Sequence, residues 1–493
     1  MRYIEGLDRN QRDMLPEFLE DYVSDNNPVR VIDAFVDSLD LEQHGIGAHH
    51  NKTGRPPFSP WVLLKLYIYG YFNNIRSSRR LEKETKRNIE LMWLLNKLTP
   101  DHMTIARFRS DNKDALNYVF RDFVKLCQKL NLYGSELVAI DGSLFAAVNS
   151  LENNFNKAKL EDRIKNIDEK IVDYLSDMDA ADREELDDPE LSREEIAEAI
   201  LAASERRRKY ESMLATLDET GETQLSTTDP DARRMKRKHS ASDVCYNIQT
   251  AVDEKNKMIV EFEVTNHNSD ANLMSPMAVS AKEALGADEL VVLTDNGYFS
   301  ATDIAKCIAA GITPHVSTDD DKSFTMCIPA QEGESVGEPK NFDNKGKNVF
   351  VEERNIGLCP MGVILYPRSY RKAKGAGVYS NKKACKICPH TKDCKNYDKE
   401  LLVLMRPSDF KNDYDTDGLR VKQITYKPDK KLLKKRKEIV EHPFGTIKRS
   451  MNSAYCLLKG IQKVRGEFSL TFLVYNMRRA INILGIDEIL KAI

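Results

Sequence analysis

At 493 residues the chain is too long for one ordinary hydrophobic core, so a main domain with appended or inserted pieces is expected. The formal charge of −3 hides an asymmetry: acidic residues crowd Asp162 to Glu222, while Lys and Arg crowd Arg233 to Lys238 and Lys427 to Lys437, so local patches say more about partners than net charge does. No signal-peptide centre and no window near the roughly 20 apolar residues of a membrane span is present, and nine cysteines fit reduced thiols or a metal cluster better than a disulfide framework, which together point to a cytoplasmic protein.

From Met1 to about Leu132 the pattern is helical. GRPPFSP is a Pro-rich lead-in, with Ser59 as N-cap and Pro60 at the first helical position, ahead of the apolar helix WVLLKLYIYGYF. Short helices follow through IRSSRRLEKETKRN, IELMWLLNKL and TPDHMTIARFRSD, where Thr99 is the candidate cap. Short turns and basic residues, Arg107 among them, suit a helix-turn-helix DNA-binding region. The alternative is a helical scaffold.

SELVAIDGS predicts a first strand whose apolar run ends at Asp141. The alternation then stops. Leu160, Ile164, Ile167, Ile171, Tyr174 and Met178 keep one a/d spacing, and Ile196, Ile200, Ala203, Tyr210, Leu214 and Leu217 keep another, with Ser192 and Glu195 as a capping-box pair. An antiparallel helical hairpin follows from this, serving as a solvated spacer or as an element of dimerisation or DNA contact. DVCYNIQTAVD and KMIVEFEVT then read as strands joined by a turn at Glu254 to Asn256, NLMSPMAVSAKEALG as a helix, ELVVLTDN as a strand, ATDIAKCIAAG as a helix and ITPHVS as a strand.

That order predicts a mixed α/β sheet, α+β in character, resembling the ribonuclease-H-type fold, with first and fourth strands as neighbours. Asp141 would end strand one, Asp295 strand four, and Glu441 lies in the basic helical stretch RKEIVEHPFGTIKR. Three carboxylates meeting in this way suit two divalent cations holding the attacking and leaving oxygens of a phosphodiester. Asp229, Asp231, Asp253 and Asp270 rank below them as turn, capping or supporting groups, and Glu438 is the nearest rival to Glu441. Cys359 in CPMG, with Cys385, Cys388 and Cys394 in CKICPHTKDC, has the knuckle spacing of a closed structural zinc site, with reduced surface thiols or an iron-sulfur cluster as the alternatives; His390 could replace one thiolate. Cys127, Cys245, Cys307, Cys327 and Cys456 read as small packing hydrophobes. The basic runs RRMKRK and KPDKKLLKKRK border the proposed site and suit DNA phosphates.

GRPPFSP, TIARFR, TDPDARRMK, YNIQTAVD, TDNGYF, HPFGTIKR and YNMRRAINIL together resemble bacterial insertion-sequence transposases of the DDE type, in the IS-four-like group, over nearly the whole chain. Of that group's Tyr-x2-Arg-x3-Glu-x6-Lys signature, Glu441 and Lys448 match, while Lys434 and Lys437 stand at the Tyr and Arg positions; charge is kept at the second but a planar bidentate donor is lost. The resemblance implies that Asp141, Asp295 and Glu441 hold two Mg2+ (or Mn2+) ions, and that Lys448, reached if the helix runs on past Pro443, contacts a phosphate. Lys437, Arg436, Lys434, Arg233 and Arg107 are the further candidate DNA contacts. It also implies binding to terminal inverted repeats, cleavage, joining of 3'-hydroxyl ends to target DNA, a homodimer on paired ends, no membrane partner and a place at the nucleoid. A DNA-binding or regulatory relative without cleavage, or a nuclease without strand joining, is the alternative. The expected division is an N-terminal helical DNA-binding domain (1–132), a catalytic core in three parts (133–150, 223–320 and 406–493), the hairpin (151–222) and a Cys-rich zinc-binding insert (321–405).

Overall fold

The computed structural model describes residues 18–46, 57–183, 193–236, 241–317, 323–331, 333–334, 336–337, 339–397 and 399–493. The expected capping residue Ser192, the first residues of GRPPFSP and the end of RRMKRK lie outside them. The chain divides into two compact units, Met1–Gly134 with Pro443–Ser453 and Arg465–Ile493, and Ser135–His442 with Ala454–Val464. Among the described residues no helix is long and apolar enough to cross a membrane.

The first unit is helical, with α1 (Val29–Asp37), α2 (Pro60–Phe72), α3 (Ser78–Thr85), α4 (Ile89–Leu94), α5 (His102–Asp111) and α6 (Lys113–Lys129). Helix α2 begins at Pro60 as expected and is buried at every position from Leu63 to Tyr71, which is why it is apolar all round. Its one buried cation, Lys65, reaches Asp33 at 2.6 Å and Asp37 at 2.8 Å on α1. The cap of α5 is Asp101 rather than Thr99: the helix starts two residues later than that reading implies, and the Asp101 carboxylate accepts from the amides of Met103 and Thr104. The chain's last segment contributes Glu467, fully buried and ion-paired with Arg76.

The second unit is built on a sheet. Strand β1 (Leu137–Ala146) pairs antiparallel with β2 (Asp243–Asp253) on one side and parallel with β4 (Leu290–Thr294) on the other. Strand β3 (Ile259–Thr265) and the short strand Arg233–Met235 share the far edge of β2, and β5 (Ile312–Val316) lies parallel to β4. The order is therefore β3-β2-β1-β4-β5, with β1 and β4 adjacent as the sequence implied. Helix α9 (Met274–Leu285) and α10 (Ala301–Ala309) pack together, the buried Asp303 of α10 accepting from the amides of Met274 and Ser275 at the start of α9.

Helices α7 (Lys157–Arg183) and α8 (Arg193–Thr220) form the expected hairpin. Its sense is antiparallel, since Lys157 pairs with Asp218 and Asp168 with Arg207. The base is well buried, around Phe155, Leu160 and Leu217, and so is Ile196 near the start of α8, while Val172 and Leu201 are exposed. After β6 (Phe324–Pro329) the chain forms an antiparallel sheet for which no strands were expected: β7 (Val349–Val351), β8 (Ile356–Leu358), β9 (Ile364–Arg371), β10 (Ala376–Ser380) and β11 (Leu401–Leu404), in that order. Helix α11 (Lys382–Ile387) lies between β10 and β11, and β12 (Val421–Tyr426) returns to pair with β6. Helix α12 (Lys430–Gly445) carries Glu441.

Candidate active site

Strand β1 does not end at Asp141. It runs on to Ala146, because Gly142 to Ala146 keep pairing with Gln249 to Cys245 of β2. The parallel partner stops earlier, at the pair Ala139–Leu293. Asp141 thus lies two residues past the last β1–β4 pair, and Asp295 follows Thr294, the last residue of β4. Both carboxylates lie just beyond the last parallel β1–β4 pair, on the side of an α/β sheet where ligands bind.

Local chemistry sets each aspartate. Asp295 caps the short turn Asn296–Tyr298, accepting from the Gly297 amide at 2.9 Å. Asp141 accepts from the Gly142 amide at 3.0 Å. Burial pushes the Asp141 carboxyl up to about 6, with the Asp295 charge adding to the rise and Arg436 opposing it. Arg436, on α12, holds Nη1 3.5 Å from Asp141 Oδ2. It is therefore ion-paired inside the site instead of presented to solvent as a phosphate contact.

A third aspartate joins these two. Asp270 Oδ1 accepts from Asn247 Nδ2 and Gln249 Nε2, each at 2.8 Å, and Gln249 also accepts from the buried Tyr298 hydroxyl. Two glycines make room for it. A Cβ on Gly142 would clash with Gln249 Nε2 and lie 2.8 Å from Asn247 Oδ1 and 2.9 Å from Asp270 Oδ1, and one on Gly297 would lie 3.0 Å from Asp295 Oδ1 and 3.4 Å from Asp270 Oδ2. By sequence Asp270 ranks with the turn, capping or supporting carboxylates near the strands; a glycine one residue after Asp141 and another two after Asp295 are the signal that sets it apart. Gly142→Ala is expected to cost about 1–3 kcal/mol of stability through overpacking and to depress DNA cleavage far more than that loss explains. Thermal unfolding and cleavage measured on one preparation check this.

Glu441 is on α12 as expected but is exposed. At 100° per residue it stands about 140° round the helix from Arg436, whose side faces Asp141. Glu438 is also exposed and pairs with Lys257 at 3.6 Å. Helix α12 passes Pro443 and continues into the π-helical turn Thr446–Ser450, which carries Lys448, so the chain does run on helically beyond the proline. Lys434 and Lys437 are exposed, as is Arg107 on α5. Arg233 is held at home, 3.2 Å from Glu222 and bonded to the carbonyl of Pro230 at 2.5 Å.

Cys359, Cys385, Cys388 and Cys394 line one cavity of about 50 Å3, each half-buried, while the other five cysteines are buried as packing residues. Burial raises the Cys359 thiol, and Cys385 and Cys388 add to the rise. His390, in the same cavity wall, stacks on Phe342 at 4.3 Å. Among the described residues no three His, Cys, Asp or Glu side chains stand together as a metal-holding group, here or at the aspartates. The consequences differ. Mg2+ is commonly held by one or two carboxylates with water and substrate phosphates filling its octahedron, which Asp141 and Asp295 can supply. A structural zinc needs all four thiolates drawn in.

Two family models match the chain: Transposase domain (DUF772) over residues 17–111 and Transposase DDE domain over residues 358–481. No curated protein and no solved structure matches. The first match covers most of the N-terminal helical region, and the second spans the four cysteines and Glu441. Both matches are to transposase domains, and together they support an insertion-sequence transposase of the DDE type.

Proposed function

We propose that the protein binds the terminal inverted repeats of its own element, cleaves DNA there and joins the 3'-hydroxyl ends to target DNA, using Asp141, Asp295 and Glu441 as its metal-holding carboxylates. The observation that carries this reading is the convergence of Asp141 and Asp295 just beyond the last β1–β4 pair, close enough for the charge of one to oppose ionisation of the other. The strand order supports a ribonuclease-H-like core. Mg2+ (or Mn2+), when bound, supplies Lewis-acid stabilisation of the attacking and leaving oxygens. The protein's part is to bind, orient and balance charge. Gln249 and Asn247 fix Asp270 as a supporting carboxylate behind the two ligands, and Arg436 balances the charge of Asp141 from 3.5 Å. Glu441 lies on the same helix as Arg436, so it completes the set only by turning from its exposed position. Lys434, Lys437 and Lys448 extend the positive charge along that helix and its continuation for DNA phosphates, and Arg107 does so for the N-terminal helices. A homodimer on paired ends is part of the proposal.

The test is a plasmid carrying the gene with its native flanks, incubated with purified protein and Mg2+. Cleavage at defined ends followed by joining supports a transposase; cleavage alone supports a nuclease; binding alone supports a regulatory relative. For the four cysteines we propose a structural zinc, and elemental analysis is expected to find about one zinc per chain. Protein purified without chelator that contains none removes this claim.

A further inference from the structure

Three features lie outside the site just described. A polar groove between α10 and the antiparallel sheet presents acids and bases in mixture and selects no ligand class. The exposed apolar residues of the hairpin, Val172 and Leu201 among them, have nothing to identify what would cover them. The third is the knuckle formed by α11 and the turns after it, which differs in kind.

Residues 382–399 contain six lysines and two aspartates. They form a compact piece of chain. Thr391 Oγ1 donates to the carbonyls of Cys385 and Cys388 at 2.9 and 2.6 Å, the amides of Asp393 and Cys394 donate to the His390 carbonyl, and Asn396 Nδ2 ties the loop to the Gly346 carbonyl at 2.8 Å. All six lysines are exposed. On α11, Lys382, Lys383 and Lys386 fall within a 100° sector, and Cys385 turns to the thiol cavity. Among the described residues no ion pair engages Lys383, Lys386, Lys392, Lys395 or Lys399.

In the basic runs elsewhere some cations are engaged, while others, Lys434 and Lys437 among them, are exposed. Of the two basic runs that stand out in the sequence, Arg233 pairs with Glu222, Lys435 with Glu254 and Arg436 with Asp141. Among the described residues Lys383, Lys386, Lys392, Lys395 and Lys399 have no such ion pair, and like charges gathered on one short stretch of chain raise the energy of the folded state. Ile387, 85 % exposed, stands at the end of α11 beside them. Like-charged ammonium groups around an uncovered apolar side chain match a polyanion with apolar groove edges, and not an acidic peptide, whose carboxylates are sparse and irregularly spaced.

We propose that this knuckle is a DNA-binding surface that grips the phosphate backbone of duplex DNA without reading its sequence, and that the cysteine cavity beneath serves to hold its lysines in place. The inference rests on the protein acting on DNA. Each phosphate neutralised releases condensed counterions, so the contact is legible in salt dependence: about 0.9 in the slope of log K against log salt per phosphate.

The experiment measures binding of the full-length protein to a labelled duplex, by fluorescence anisotropy over a range of salt, with all four of Lys383, Lys386, Lys392 and Lys395 changed to Gln in one variant and to Arg in another. The Gln variant is expected to show a slope shallower by about 3 to 4 and at least tenfold weaker binding at moderate salt, with unaltered thermal unfolding. The Arg variant keeps the charge and is expected to retain the wild-type slope. Wild-type binding with an unchanged slope in the Gln variant overturns the inference and leaves the transposase reading standing. Equal loss in both variants also overturns it, since the lysines would then matter for structure and not for charge. Failure of the wild type to bind any duplex removes both.

Discussion

Asp295→Ala will abolish Mg2+-dependent cleavage, by about 10³-fold or more, while DNA binding and the unfolding temperature stay close to wild type. Several kcal/mol of charge stabilisation depend on a cation held at this position, and each 1.36 kcal/mol is tenfold in rate. The fold asks less of the side chain. Asp295 is half-buried at the end of β4 and makes one local hydrogen bond, to the Gly297 amide, so its loss costs no more than an exposed cap, about 1 kcal/mol. Asp141→Asn is expected to do the same to cleavage. A cleavage assay, a binding assay and a melting curve on each variant decide the matter; joint loss of binding and folding would sink the catalytic assignment. A pH signature belongs to the same site. The Asp141 carboxyl is raised from its ordinary 3.8 to about 6 by burial first, then by Asp295, so the native state holds more protons than the unfolded chain between those values. The stability contributed by that proton is present below about pH 4 and is lost as pH rises to about 6. Cation binding runs the other way, because the ligand is the carboxylate. Mn2+ affinity is expected to climb up to about pH 6 and level off above it, and calorimetric titration across that window reads it directly.

The second large effect falls on stability. Glu467→Ala is expected to destabilise the helical unit by about 3–5 kcal/mol, the range for stranding one partner of a buried ion pair. Glu467 is fully buried, and Arg76, only 6 % exposed at its side chain, is ion-paired with it. Arg109, also buried, donates to the Tyr71 hydroxyl at 3.0 Å, and the Arg76 guanidinium lies 6.0 Å from the Tyr71 ring centroid. Removing the carboxylate strands an arginine in a site that water does not reach. Glu467→Gln keeps the shape and loses the charge, so it separates the electrostatic cost from a cavity. Unfolding midpoints should fall for both, with Gln retaining part of the loss. A Gln variant as stable as wild type would mean that the pair contributes hydrogen bonding and not charge compensation.

Much of the second unit was legible because short-range rules decide it. Alternation over DVCYNIQTAVD and KMIVEFEVT, and the continuous apolar run of ELVVLTDN, correspond to β2, β3 and β4. The a/d stripes correspond to α7 and α8, and Pro60 to the start of α2. What failed locally failed for identifiable reasons. Thr99 lost to Asp101 because two good capping residues stand two apart, and the Asp101 carboxylate accepts from both Met103 and Thr104. The sheet from β7 to β11 escaped notice because its strands are short and interrupted by Gly, Pro and Lys, a pattern that reads as loop until neighbouring strands satisfy its backbone.

The sequence by itself determined that Asp295 follows β4, where α2 begins and where the thiols cluster, because period, caps and spacing act over a few residues. Only the tertiary structure decided that β1 continues past Asp141, since that depends on pairing with β2 a hundred residues away. It likewise decided that Arg436 and not Glu441 faces Asp141, that Asp270 enters between two glycines, and that Arg76 meets Glu467 across 391 positions. In each case the deciding energy is desolvation of a charge or a strand edge, which depends on what long-range packing brings beside it and leaves no periodic trace in the chain.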